Sequence, residues 1–307
     1  MVRPVRSLLF IPGNRTDWLP KAAAAGADAV VFDLEGALPP DQKAAGREGV
    51  RAAIEAAGGS GPAIMVRIND ARSPHWRDDL EQVVSAGLAA VLLPQVAGLG
   101  DVVTVSAALD ELEQERGLPP HSVGLDPLME TPSAIREAYE IAVCSPRIAY
   151  MGAGISKRGD IARTMGFRWT PGGLETLFFR SKVLLDMRAA GVPNPLSGMW
   201  GDIADLDGLR EFAERTRELG YEGMMVIHPS HVGVVNEVFS PSPDEIELWQ
   251  ATLAAMEAAH AAGDGAIRFR GEVVDEAHVL TARQGLARLE QFDGQFESQV
   301  GGGVAGA

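Results

Sequence analysis

Ala29-Val30-Val31-Phe32-Asp33-Leu34-Glu35-Gly36 is an apolar run that breaks into carboxylates and glycine, with a helix-like stretch after it. The run lacks polar alternation, as a strand buried on both faces should. Seven more runs have the same form. They are Ser7-Leu8-Leu9-Phe10-Ile11, Ala63-Ile64-Met65-Val66, Ala90-Val91-Leu92-Leu93, Ser122-Val123-Gly124-Leu125, Arg147-Ile148-Ala149-Tyr150-Met151, Asn194-Pro195-Leu196-Ser197-Gly198-Met199 and Gly223-Met224-Met225-Val226-Ile227. Strands joined through helices imply a parallel sheet, and eight such units imply an α/β chain closed into a (β/α)8 TIM barrel. Reactive groups in that fold gather at the C-terminal strand ends.

Pro39-Pro40 predicts a helix over 41–57, because proline cannot continue a preceding helix. Further helices are expected over 174–190, stopped by Gly191 and Pro193, over 207–219, stopped by Gly220, and over 244–262. The expected division is a barrel of residues 1–262, a C-terminal helical lid extension of 263–296 and a disordered tail of 297–307. The extension would hold a strand-like or turn segment at 266–270 and a helix over 274–292. The glycine-rich tail lacks the apolar bulk to fix a conformation.

The 307 residues carry 27 Lys and Arg against 42 Asp and Glu, a net charge of −15. That balance argues against nucleic acid or an anionic membrane as the main partner, while leaving room for a local basic pocket. One cysteine, Cys144, excludes an intrachain disulfide and a cysteine-based zinc site, and reads as a small packed residue. A cytoplasmic setting fits. The chain start runs directly into the first strand, so neither a signal peptide nor a membrane span is expected.

The strand ends hold the candidate chemistry. Asp33 and Glu35, two apart, face one side; they can bind a cation, position water or raise one another's pKa, or form a salt-bridge cluster. Arg67, ending strand three, offers a planar charged fork to a carboxylate or enolate oxygen, or pairs with Asp33 or Glu35. Glu130 follows strand five, and Thr131 is placed to cap the next helix. Asp160 lies in the loop after strand six, where it can share a hard divalent cation with Glu130 or cap a helix. Lys157 and Arg158 in the same loop are solvated surface or bind phosphates. His228 and His231 read as structural and surface residues rather than a metal pair.

Arg6-Ser7-Leu8-Leu9-Phe10-Ile11-Pro12-Gly13-Asn14-Arg15, Asp33-Leu34-Glu35, Val66-Arg67-Ile68-Asn69, Met129-Glu130-Thr131 and Ile227-His228-Pro229-Ser230 together resemble the HpcH/HpaI aldolase and citrate lyase superfamily. The likeness is to its CoA-ester lyases of the malyl-CoA and citramalyl-CoA type and spans roughly residues 6–285. It implies a Mg2+-dependent (Mn2+ also fitting) carbon–carbon lyase that acts on a 3-hydroxyacyl-CoA thioester and yields an acyl-CoA and a 2-oxoacid. By the resemblance, Glu130 and Asp160 hold the metal, Arg67 steadies the carboxylate and enolate, and Asn14 and Arg15 lie near the CoA end. Gly271-Glu272-Val273-Val274-Asp275 resembles a lid motif whose aspartate reaches a neighbouring subunit as general acid/base. That implies a homotrimer or homohexamer with lid exchange, and Asp275 otherwise caps a helix.

The chain departs from the family pattern at Gly36, where a carboxylate is usual, in the lengthened loop after strand six, and at Pro195-Leu196. Its particular substrate is expected to be read there. The competing readings are a CoA-independent 2-oxoacid aldolase, a Schiff-base aldolase through Lys157 and a non-catalytic acyl-CoA-binding barrel.

Overall fold

The computed structural model describes the backbone of residues 3–301 and the side chains of residues 3–292. Eight parallel strands close into a barrel in chain order: β1 (Ser7–Pro12), β2 (Ala29–Asp33), β3 (Ala63–Arg67), β4 (Leu88–Leu93), β5 (Gly124–Met129), β6 (Tyr150–Ala153), β7 (Asn194–Ser197) and β8 (Gly223–Val226). The ring is completed by β1 against β8, with Leu8 opposite Met225. The expected strands are all present. β5 runs on through Met129, past the run at 122–125, since Asp126 and Pro127 continue the strand and register with Leu92 and Leu93.

Closure explains why the strands read as uninterrupted apolar runs. Leu9, Ile11, Val30 and Phe32 point outward and join the buried layer beneath the helices. Leu8, Val31, Met65, Leu128, Leu196 and Met225 point inward and fill the lumen as a separate apolar cluster. Both faces are therefore out of water, and burying each large side chain contributes about 1.5–3 kcal/mol. The next lumen position on several strands is polar (Asp33, Arg67 and Glu130), and those positions lie at the C-terminal mouth.

The helices at Lys43–Ala57, Leu174–Ala190 and Leu206–Glu218 match the expected ones to within two residues at either end. Leu174–Ala190 ends on Gly191 at φ +75°, the left-handed stop that glycine adopts without strain.

Two compact units divide the chain after Phe239. The helix Pro243–Ala262, expected to close the barrel domain, groups with the C-terminal unit, and this moves the division from 262/263 to 239/240. Within that unit Met256 packs with Val274 and Val279. The hairpin β9 (Ile267–Phe269) and β10 (Glu272–Val274) leads into the helix Glu276–Gly301. The predicted disordered tail is corrected in part: residues 297–301 continue that helix, and 302–307 lie outside the described residues. Among the described residues no helix is long and apolar enough to cross a membrane.

Candidate active site

Arg67 stands at the centre of the barrel mouth. The β2–β3 register sets Asp33 beside it, and the two form a forked pair, Nε to Oδ1 at 2.8 Å and Nη2 to Oδ2 at 2.6 Å. Asp33 also accepts the backbone amides of Glu35 and Ala37, at 3.0 and 2.9 Å. Burial pushes its carboxyl up, but the Arg67 hydrogen bond and charge, with those amides, outweigh this and hold it below the usual carboxylate range. Both Asp33 oxygens are thus engaged, and its geometry is that of a residue orienting Arg67. Glu35 approaches the same guanidinium at 3.4 Å, and the Phe10 ring lies 5.2 Å from it. Nη1 makes no hydrogen bond among the described residues.

Gly36 has a local reason. A Cβ there would sit 3.2 Å from Arg67 Nη2, so the missing carboxylate leaves space against the guanidinium.

Glu130 follows β5 and is nine-tenths buried. Its Oε1 accepts the Gln95 amide at 2.9 Å, and Gln95 takes φ +52°, rare for a side chain other than glycine, in the loop that delivers this donor. Gly154, just past β6, leaves room for Glu130, because a Cβ there would lie 2.8 Å from the glutamate Cβ. Burial pushes the Glu130 carboxyl up to about 7; Gln95 and Arg67 pull it down, and the charges of Asp160 and Glu35 push it up. Glu35 is raised in the same way, by burial first and then by the charges of Asp33 and Asp160 against those of Arg67 and Lys43. Asp160 opens the short helix Asp160–Met165, which Gly159 caps, and pairs with Arg163 at 2.5 Å.

These effects set Glu35, Glu130 and Asp160 in one electrostatic neighbourhood. Asp33 takes up much of the Arg67 charge, so Glu35 and Glu130 lack a full counter-charge and their ionised forms are disfavoured. Hard oxygen donors in that situation fit Mg2+, which is bound through one or two carboxylates with the remaining positions left to water and substrate. Among the described residues no three or more His, Cys, Asp or Glu side chains are grouped closely enough to hold a metal ion by themselves.

The loops after β6 and β7 are joined at a point that only glycine permits. Met199 donates its amide to the Ile155 carbonyl at 3.1 Å, and a Cβ on Gly198 would fall 1.6 Å from that oxygen. Gly198→Ala is expected to destabilise the protein by about 3 kcal/mol or to spread these loops. Thermal unfolding checks the first outcome and loss of Mg2+ binding the second.

Three supporting residues were not singled out for these roles from sequence: Gln95, Asn69 and Lys43. Lys43 is buried and donates to the Leu34 carbonyl at 2.7 Å, the Glu35 carbonyl at 3.3 Å and Asn69 Oδ1 at 2.7 Å. Asn69 donates its backbone and side-chain N–H groups to Asp79 Oδ2, at 2.8 and 2.6 Å. Arg47 closes the chain on Asp79 at 2.6 Å. A signal for Lys43 was present in its helical phase, since it shares the buried stripe with Arg47, Val50 and Ile54.

The other expected residues lie on the surface or elsewhere. Asn14 is exposed and donates to Gln42 at 2.7 Å. Arg15 is exposed, pairs with Asp17 and stacks 4.0 Å above Trp18. Lys157 and Arg158 are exposed in the turn before Asp160. His228 is half-buried and bonds Ser230 at 2.7 Å. The surface expectation for His231 is wrong: the helix Pro229–Phe239 turns it inward with Val232 and Val235. Cys144 packs at the edge of the outer core. Asp275, in the C-terminal unit, accepts the Ala277 amide at 3.0 Å and contacts His278 at 2.9 Å, which together hold its carboxyl low.

The closed (β/α)8 barrel thus gathers one arginine and several carboxylates at its mouth, a set able to take an anionic ligand and a hard cation. The profile of the HpcH/HpaI aldolase/citrate lyase family matches residues 6–229, and the chain belongs to that family of carbon–carbon lyases. It is 35% identical to a (3S)-malyl-CoA thioesterase of Cereibacter sphaeroides over 94% of this chain and 95% of the relative. It is 34% identical to an L-malyl-CoA/beta-methylmalyl-CoA lyase of the same organism, over 94% and 96%. Among solved structures it is similar to CitE of Mycobacterium tuberculosis in complex with magnesium, acetoacetate and coenzyme A. That match has TM-score 0.73 and 27% identity and covers 94% of this chain and 99% of the other. A Burkholderia xenovorans citrate lyase shares the fold at TM-score 0.81 and 21% identity, with 94% and 92% covered.

Proposed function

We propose that this chain is a Mg2+-dependent lyase that cleaves or forms a 3-hydroxyacyl-CoA thioester of the malyl-CoA or citramalyl-CoA kind through a thioester enolate. The observation that carries this reading is one arginine edge without a hydrogen bond, Arg67 Nη1, in a mouth whose carboxylates include Glu130 and Asp160. Glu130 and Asp160 would hold the metal. When bound, Mg2+ lowers the cost of an alkoxide on the acid fragment.

In the cleavage direction the hydroxyl passes its proton to water and the adjacent carbon–carbon bond breaks. The acid fragment leaves as a 2-oxoacid and the bonding electrons become a thioester enolate. Arg67, oriented by Asp33, would offset the charge on the enolate oxygen. Asp275, exposed and held in its basic form, would take a proton from the acyl-CoA α-carbon in the condensing direction and, once so protonated, return it to the enolate carbon in cleavage, from the lid of a second copy in a homotrimer or homohexamer. Asn14, Arg15, Lys157 and Arg158 are proposed to meet the CoA phosphates.

The thioesterase name of one group of relatives defines the competing outcome. Malyl-CoA, beta-methylmalyl-CoA and citramalyl-CoA should each be incubated with Mg2+ or EDTA, scoring 2-oxoacid as its phenylhydrazone and free CoA thiol by a thiol reagent. A lyase releases oxoacid without thiol, and only with Mg2+. Thiol without oxoacid would make the chain a hydrolase. Turnover of CoA-free 2-oxoacid aldols alone would favour an aldolase, and binding without turnover a non-catalytic barrel.

A further inference from the structure

We propose that Lys43 is a positioning residue of this site, acting through Glu35 by way of the buried chain that links Arg47, Asp79 and Asn69 to the loop after β2. The inference rests on the proposed lyase reading of this mouth, in which Glu35 stands beside Arg67 and the carboxylates Glu130 and Asp160.

Lys43 occupies an unusual place for a lysine. It is 6% exposed, so its ammonium is removed from water and must be matched by acceptors. Two of the three acceptors are consecutive backbone carbonyls, Leu34 and Glu35. The third, Asn69 Oδ1, belongs to the loop after β3. One ammonium therefore ties the two loops that follow the strands carrying Asp33 and Arg67. Asn69 Nδ2 adds a second tie by donating to the Leu34 carbonyl at 3.1 Å.

The backbone between Asp33 and Ala37 is then held from both sides. Asp33 takes its amides at Glu35 and Ala37, and Lys43 takes its carbonyls at Leu34 and Glu35. From this pinned backbone the Glu35 side chain extends across the mouth toward Arg67, 3.4 Å away. The positive charge behind Glu35 also favours its ionised form in a pocket already crowded with carboxylates.

The chain behind Lys43 gives this anchor its rigidity. Asp79 is fully buried and spends one oxygen on Arg47 and the other on Asn69. Asn69 is thereby fixed in the orientation that offers its oxygen to Lys43. A buried, satisfied network of this kind has one arrangement, which suits a loop that must present a carboxylate at a set angle.

A double-mutant cycle tests the assignment, with Lys43→Met and Glu35→Gln made singly and together and kcat, KM and the Mg2+ Kd from calorimetry measured for each. Lys43→Met is expected to lower kcat at least tenfold, leave the Mg2+ Kd within twofold of wild type, and cause no further loss in the Glu35→Gln background. Lys43→Arg should recover part of the loss. Multiplicative losses in the double variant, or a Mg2+ Kd weakened as much as kcat, would overturn the inference. Should Lys43→Met not fold, Asn69→Ser in the same cycle is expected to show a smaller loss with the same dependence on Glu35. A wild type silent on every thioester would instead sink the lyase reading, so the two failures are distinct.

Discussion

Glu130→Gln is expected to lower Mg2+-dependent kcat/KM by about a thousandfold or more, equivalent to about 4 kcal/mol of lost stabilisation. The substitution is nearly isosteric and keeps an oxygen for the Gln95 amide. It removes the charge and exchanges one carboxylate oxygen for an amide nitrogen, which cannot ligate Mg2+. That charge is costly in the free protein, because burial and the Asp160 and Glu35 carboxylates all oppose it. The variant should therefore melt at the same temperature as wild type or higher, while losing Mg2+ binding by calorimetry. Loss of activity with an unchanged or raised Tm separates a metal-binding role from a packing role. Retained Mg2+ affinity and turnover would remove Glu130 from the site.

Glu113→Ala is expected to act in the opposite way, costing about 3–5 kcal/mol of stability without removing anything from the mouth. Glu113 is 1% exposed and Arg147 is 2% exposed. Glu113 takes Arg147 Nη1 at 2.8 Å and the amides of His121 and Val123 at 2.9 and 2.8 Å. Arg147 also pairs with Asp110. These residues adjoin the N-terminal ends of β5 and β6, the face opposite the chemistry. Truncating the glutamate leaves Arg147 buried with only Asp110 as a carboxylate partner, which is where the large cost arises. Urea unfolding should show it, with kcat unchanged at temperatures where the variant is folded.

The same pair predicts an acid limb in stability. Burial raises the Glu113 carboxyl, but Arg147 and the two amides overcome it and bring it down to about 2. A carboxyl lower in the folded than the unfolded chain binds fewer protons when folded. Its contribution is full above its unfolded value near 4.5 and fades as pH falls toward 2. Wild type should lose stability across that window, and Glu113→Ala should lose less. Parallel curves would exclude the pair as a source of acid sensitivity.

Much of this was legible in the chain alone. The runs around Phe10, Phe32 and Val66 carry no polar alternation because both of their faces are buried, so they announced parallel strands before any contact was known. Eight of them set the closed barrel, and the barrel set the face on which Arg67 and Glu130 stand. The strand-end motifs placed the chain in its family. Glycine and proline marked helix ends such as Gly191 because their allowed backbone angles are local properties.

What the chain alone left open depends on groups distant in sequence. Asp33 reads as a catalytic candidate until the β2–β3 register spends both of its oxygens on Arg67 and the following amides. The helical phase of Lys43 marks it as buried, but its partner Asn69 lies 26 residues on and is met only in the folded barrel. The boundary at Phe239 follows from the helix Pro243–Ala262 packing with the C-terminal unit, which no local propensity records. Local backbone preference and the period of burial are written residue by residue. Which oxygen meets which nitrogen is decided only when the closed barrel brings separate strand ends within hydrogen-bond distance.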